Sequence, residues 1–94
     1  MEEKELKNII EVCNKATKGP WISYVEGRDF ESGSSFIKTG ESSKRDYDIE
    51  FINIREEDQD FIALARNVMP LLVNEIIKLR DRTNNDFESD IIDL

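Results

Sequence analysis

Apolar residues recur at helical spacing from the start of the chain. Leu6, Ile9, Ile10, Cys13 and Ala16 fall at the i, i+3, i+4, i+7 intervals that bring side chains onto one face, which predicts an amphipathic helix over residues 2–16. Glu2, Glu3 and Glu5 crowd its N-terminal end, with Lys15 and Lys18 at the other, as the helix dipole favours. Gly19 followed by Pro20 reads as a stop: a left-handed cap residue, then one that cannot continue the helix.

The period then changes to two. Trp21 to Val25 is a strand candidate, with Trp21, Ser23 and Val25 on one face and Ile22 and Tyr24 on the other. Residues 26–35, rich in Gly, Ser and charge, read as a loop with scope for mobility. Phe36 to Thr39 is a short strand and Gly40 to Asp46 a polar turn. Tyr47 to Ile54 alternates as a half-buried strand, Tyr47, Ile49 and Phe51 against Asp48 and Glu50. Its pattern switches at Ile52 and Ile54, which predicts an end covered on both sides, or bulged.

A second helix is expected over residues 57–82, acidic at its start (Glu56, Glu57, Asp58, Asp60) and basic at its end (Lys78, Arg80, Arg82). One apolar stripe reads Phe61, Leu64, Ala65, Val68, Leu72, Ile76, Leu79, and a second reads Ile62, Met69, Val73, Ile77. A helix apolar on two sides is buried on two sides. In so small a protein the second stripe is expected to meet another copy of the chain, giving a homo-oligomer through this helix. Pro70 lacks the amide that would bond the Arg66 carbonyl, so a kink near residues 66–70, or a break into two helices, is expected. The fold class is therefore α+β: an N-terminal helix, a short antiparallel sheet and a long C-terminal helix kinked near Pro70. One domain is expected over residues 1–82, followed by an acidic flexible tail over 83–94.

Composition narrows the chemistry. The 94 residues carry 13 Lys+Arg against 21 Asp+Glu, a net charge of −8, which argues against direct DNA or RNA binding because phosphate contacts need clustered cations. There is no histidine, so the usual general base near neutral pH and the commonest zinc ligand are missing. Cys13 is the single cysteine and is expected in the core. No nucleophile–base constellation stands out, so the protein reads as a non-enzyme with no cofactor and no metal. The run Glu56-Glu57-Asp58-Gln59-Asp60 lacks the spacing of an EF-hand loop and reads better as a solvated helix start than as a Mg²⁺ or Ca²⁺ site. No apolar run is long enough for a membrane span and no basic signal segment opens the chain, so a cytoplasmic location is expected.

Arg66 is the most unusual charge, set between apolar faces beside Asn67. Two readings stand: an arginine whose stem lies on the core while its head pairs with a carboxylate, or an anion-binding group at a subunit interface. Asn67 would then add an amide donor or acceptor for a base or ribose. The strand aromatics Trp21, Tyr24, Phe36, Tyr47 and Phe51 divide in the same way between core and a nucleobase-stacking surface. Arg28, Lys38, Lys44, Arg45 and Arg55 are the cations near those strands.

The segment Ala16-Thr17-Lys18-Gly19-Pro20-Trp21, with Asp60-Phe61-Ile62-Ala63-Leu64-Ala65-Arg66, Pro70-Leu71-Leu72 and Ile77-Lys78-Leu79-Arg80, resembles the Ead-type small phage proteins across roughly residues 5–80. The same pattern is shared by the first type of Thoeris anti-defence proteins. The resemblance implies a phage counter-defence protein, acting in the cytoplasm of an infected bacterium. Such a protein sequesters a cyclic nucleotide-type messenger, a cyclic ADP-ribose isomer or a cyclic oligonucleotide, as an oligomer without catalysis. Trp21, Phe61 and Arg66 match the shared motifs; Tyr47, Phe51 and Arg55, just before the long helix, are by position the pocket candidates. The alternative is an acidic phage inhibitor that binds a host or defence protein directly, as a nucleic-acid mimic.

Overall fold

The computed structural model describes residues 1–40 and 48–83, with side chains through Asp81. The expected turn at 40–46 beyond Gly40, the start of the third strand at Tyr47, and the acidic tail beyond Thr83 lie outside the described residues. The elements are α1 (Glu3–Lys15), β1 (Ile22–Tyr24), β2 (Phe36–Lys38), β3 (Ile49–Glu50) and α2 (Glu56–Thr83), an α+β arrangement in the expected order. The chain divides into two compact units: residues 1–16 with those from Val68 onward, and Thr17–Asn67.

The first unit is held by apolar packing. Leu6 and Ile10 of α1 are buried with Val73 of α2, flanked by Ile9, Ile76 and Ile77, and Cys13 is buried on the same face of α1. Burying side chains of this size stabilises by about 1.5–3 kcal/mol each relative to leaving them in water. The Glu2 amide donates to Glu5 Oε1 at 3.0 Å, which satisfies one of the amides that a helix start exposes. The helix ends at Lys15, and Ala16 is already extended, its amide bonded to the Val12 carbonyl. The left-handed cap expected at Gly19 is thus corrected. Gly19 lies outside the helix and without a positive φ, because the Thr17 and Lys18 carbonyls are committed to other donors instead of closing a helical turn.

In the second unit β1, β2 and β3 form an antiparallel sheet in that order, with Ser23 opposite Ile37 and Phe36 opposite Glu50. Ile37, at its centre, is fully buried. The loop over residues 26–35 is tied to the strands. The Arg28 and Asp29 amides donate to the Val25 carbonyl, the Val25 amide donates to Asp29 Oδ2, and the Glu26 amide donates to Ser35 Oγ. Phe36 contacts Tyr24 and Phe30, with ring centroids 5.2 and 5.8 Å apart.

The expected third strand needs correction. The third strand is shorter than Tyr47–Ile54. It is Ile49–Glu50, after which the Phe51 amide bonds the Ser35 carbonyl and Asn53 turns the chain through a left-handed φ of 59°. Asn tolerates that conformation better than most side chains, so the turn into α2 is written in the sequence at Asn53. Ile52, expected to be covered or bulged, is 89 % exposed. Helix α2 is the single long helix expected, continuous through Pro70, so of the two alternatives there the break into two helices is ruled out; a bend is not shown.

Candidate binding surfaces

Three of the six candidate residues come together. The Asn67 side chain grips the backbone of Trp21: Oδ1 accepts from the Trp21 amide at 2.7 Å and Nδ2 donates to the Trp21 carbonyl at 2.8 Å. Arg66, one position earlier on α2, donates to the Thr17 carbonyl at 3.2 Å and stands 5.8 Å from the centre of the Trp21 ring, within cation–π range. The indole Nε1 donates to the same Thr17 carbonyl at 2.9 Å. Gly19 completes the arrangement, because a Cβ there would lie 3.1 Å from Asn67 Oδ1. The two motifs that carry the resemblance therefore meet as a latch that pins the Thr17–Trp21 turn to α2. Trp21, Arg66 and Asn67 are each half-buried, and the Arg66 Nε is itself buried.

The other three candidates are placed differently. Phe51 is half-buried just after β3, and Arg55, exposed ahead of α2, pairs with Glu57 at 3.4 Å. Tyr47 lies outside the described residues.

The acidic run at the start of α2 divides into two roles. Gln59 is fully buried, with Nε2 within 2.9 Å of Ser23 Oγ, 3.0 Å of the Tyr24 carbonyl and 3.1 Å of the Phe36 carbonyl. Three acceptors around one nitrogen fix which way the amide points. It ties α2 to the ends of β1 and β2, while Oε1 is buried with no hydrogen-bond partner among the described residues. Asp60 instead faces the 26–35 loop, where Arg28 donates two parallel bonds to it at 2.7 and 2.9 Å. That bidentate pair, helped by the Ser23 hydroxyl, lowers the Asp60 carboxyl to about 2. Asp29 is lowered as well, chiefly by the Val25 amide and next by Arg28, whose own value is raised by the two carboxylates. Arg28 is thereby committed to Asp29, Asp60 and Glu56, which leaves it poorly placed to receive an outside anion. Among the described residues no three His, Cys, Asp or Glu side chains group to hold a metal, and no helix is long and apolar enough to cross a membrane.

The largest departure from expectation is the orientation of α2. The face turned inward carries Gln59, Ala63, Pro70 and Val73, with Arg66, Asn67, Asn74 and Ile77 half-buried beside them. The opposite face carries Phe61, Leu64, Leu71, Leu72 and Leu79, whose exposures run from 50 to 69 %. Of the stripe expected to meet another copy, Val73 is instead in the protomer's own core and Ile77 packs against that core. Ile62 and Met69 of the same stripe are exposed; of the other stripe Phe61, Leu64, Leu72 and Leu79 lie in water, while Ala65 and Val68 are half-buried and Ile76 packs against the core. The signal that could have assigned the faces is the set Gln59, Ala63, Asn67, Pro70 and Asn74 at helical spacing. Small or amide side chains there suit close backbone approach and hydrogen bonding to a short sheet and a turn. An exposed apolar strip of this kind marks an interaction surface.

Compared with known proteins, the chain matches no family model, no curated protein and no solved structure.

Proposed function

We propose that the protein is a non-catalytic binding protein of phage counter-defence type, assembled as a homo-oligomer through α2, which sequesters a cyclic nucleotide-type messenger. The observation that carries the reading is the exposed apolar face of α2: Phe61, Leu64, Leu71, Leu72 and Leu79 lie in water on one helix, at a cost that association would remove. The resemblance of the Thr17–Trp21 turn and the Phe61–Arg66 helix start to the Ead-type proteins supplies the ligand class. The guanidinium of Arg66 above the Trp21 ring supplies chemistry suited to it, a cation for phosphate beside an aromatic surface for a base. Phe51 and Arg55 are the further candidates for the pocket.

The test mixes the protein with cyclic ADP-ribose isomers and cyclic oligonucleotides, removes free ligand, then heats the protein and looks for intact messenger in the supernatant. Sequestration returns the messenger unaltered. Arg66→Ala is expected to weaken binding at least about 10-fold, the equivalent of about 1.4 kcal/mol. If that variant lowers the melting temperature and leaves affinity unchanged, Arg66 serves only the latch. If no such messenger binds the native protein below about 100 μM, the sequestering role is wrong. The second reading, direct inhibition of a host or defence protein, is favoured by the net charge of −8, which suits a basic partner.

A further inference from the structure

The exposed face of α2 has a regular seam. Phe61, Ala65, Val68, Leu72, Glu75 and Leu79 follow one another at alternating steps of four and three, the 3.5-residue period of two helices wound together. Phe61, Leu72 and Leu79 are strongly exposed, Ala65 and Val68 half-exposed, and Leu64, Leu71 and Met69 widen the strip on either side. The order of residues along the seam is mirror-symmetric about Pro70. Phe61 and Leu79 are equidistant from it, as are Ala65 and Glu75, and Val68 and Leu72. Pro70 itself points the other way and is buried in the protomer.

We infer that two copies of the chain pair through this seam in antiparallel orientation, about a two-fold axis level with Pro70, with Phe61 of each against Leu79 of the other. The inference rests on the homo-oligomer reading above and specifies its geometry.

Charge decides the direction. Glu56, Glu57 and Asp58 lie in the first turn of α2, and Lys78 and Arg80 near its end. Parallel pairing would set acid beside acid at one end and base beside base at the other. It would also place Glu75 of one copy against Glu75 of the next, a like-charge contact in the middle of an apolar strip. Antiparallel pairing sets each acidic start beside a basic end and opposes the helix dipoles. It also places Glu75 across from Ala65, the smallest residue in the seam, where a carboxylate has room to reach water. Among the described residues Asp81 is the other acid near that end, and its Oδ2 is buried. A two-fold contact uses the same patch on both copies and closes at a dimer.

Site-directed cross-linking tests the direction separately from the association. In a Cys13→Ala background, a Phe61→Cys chain and a Leu79→Cys chain are oxidised alone and as a mixture. The antiparallel seam predicts covalent dimer in the mixture and little in either chain alone, because like positions then lie about 27 Å apart along the pair. Cross-linking of each chain with itself, and no covalent dimer joining the two variants in the mixture, would overturn the antiparallel assignment while leaving the oligomer intact. Light scattering is expected to give twice the 11.0 kDa chain mass for the native protein. For Leu72→Glu, a substitution at an exposed position, the expected mass is 11.0 kDa with unchanged helix content. A Leu72→Glu dimer would overturn the seam. A native monomer at micromolar concentration would overturn both the seam and the oligomer reading, and would assign this face to a different protein.

Discussion

The two compact units reach stability by different chemistry. In the first, Leu6, Ile10 and Val73 are buried with Cys13, and three half-buried isoleucines complete the packing. In the second, the buried residues among those described are Ile37 and Ala63 together with the polar Thr39 and Gln59. Strands of three, three and two residues cannot bury enough apolar surface to hold themselves. Side chains of α2 therefore bond directly to sheet and turn backbone: Gln59 to Tyr24 and Phe36, Asn67 to Trp21, Arg66 to Thr17. The difference teaches what each unit tolerates. Apolar packing accepts a change of shape at the cost of a cavity, whereas a directed bond accepts almost no change of chemistry.

The comparison can be broken from either side. The largest effect is expected at Leu6, where Leu6→Ala opens a cavity in the first unit and should destabilise by about 2–5 kcal/mol in urea unfolding. A loss below about 1 kcal/mol would mean the apolar cluster is not what holds that unit. Next comes Gln59→Ala, which strips the donors from the Tyr24 and Phe36 carbonyls and should destabilise by about 1–3 kcal/mol. Faster amide exchange in β1 and β2 should accompany it, and uniform exchange across both units would argue that the bond is not local. Asn67→Asp keeps the acceptor for the Trp21 amide and loses the donor to its carbonyl. It should cost about 1–2 kcal/mol, while Asn67→Leu, which loses both, should cost more; equal costs would show that only one of the two bonds matters.

Acid sharpens the same point. Asp60 has its carboxyl lowered by Arg28, so its contribution is present above the ordinary carboxylate value and is lost as pH falls from about 4 through its folded value of about 2. Native Asp60 is therefore expected to give a steeper fall of melting temperature over that window than Asp60→Asn. Coincident curves would remove the pair from any account of stability. The smallest effect belongs to the exposed helix pairs: Glu11→Gln, which breaks the 2.9 Å pair with Lys15, should change stability by no more than about 0.5 kcal/mol.

The ordering of the fold was legible where one signal dominated. Helix α1 follows from Leu6, Ile10 and Cys13, and α2 from its long apolar period with acids at one end and bases at the other. What could not be read was which face of α2 turns inward. Hydropathy ranks Phe61, Leu64 and Leu72 above Gln59 and Asn67, and the structure reverses that ranking because the sheet and the turn present backbone groups that need donors and acceptors. Ile52 misled for a related reason: the alternation of β3 was followed past Glu50, although Asn53 already marked the turn. Of the candidate site, Trp21, Arg66 and Asn67 lie together in the structure. Their being neighbours in space depends on a pairing across 46 residues that no local pattern carries.

The grip of Asn67 on Trp21 also governs how the sheet can grow. Its amide occupies both the N–H and the C=O of the residue that leads into β1, as an adjoining strand would. Asp29 occupies the Val25 amide at the other end. A strand approaching from that side finds the backbone positions flanking β1 already taken. Edge-to-edge addition, the usual route by which short sheets recruit other chains, is closed there. Replacing Asn67 thus does more than loosen a turn: it exposes a pairing edge.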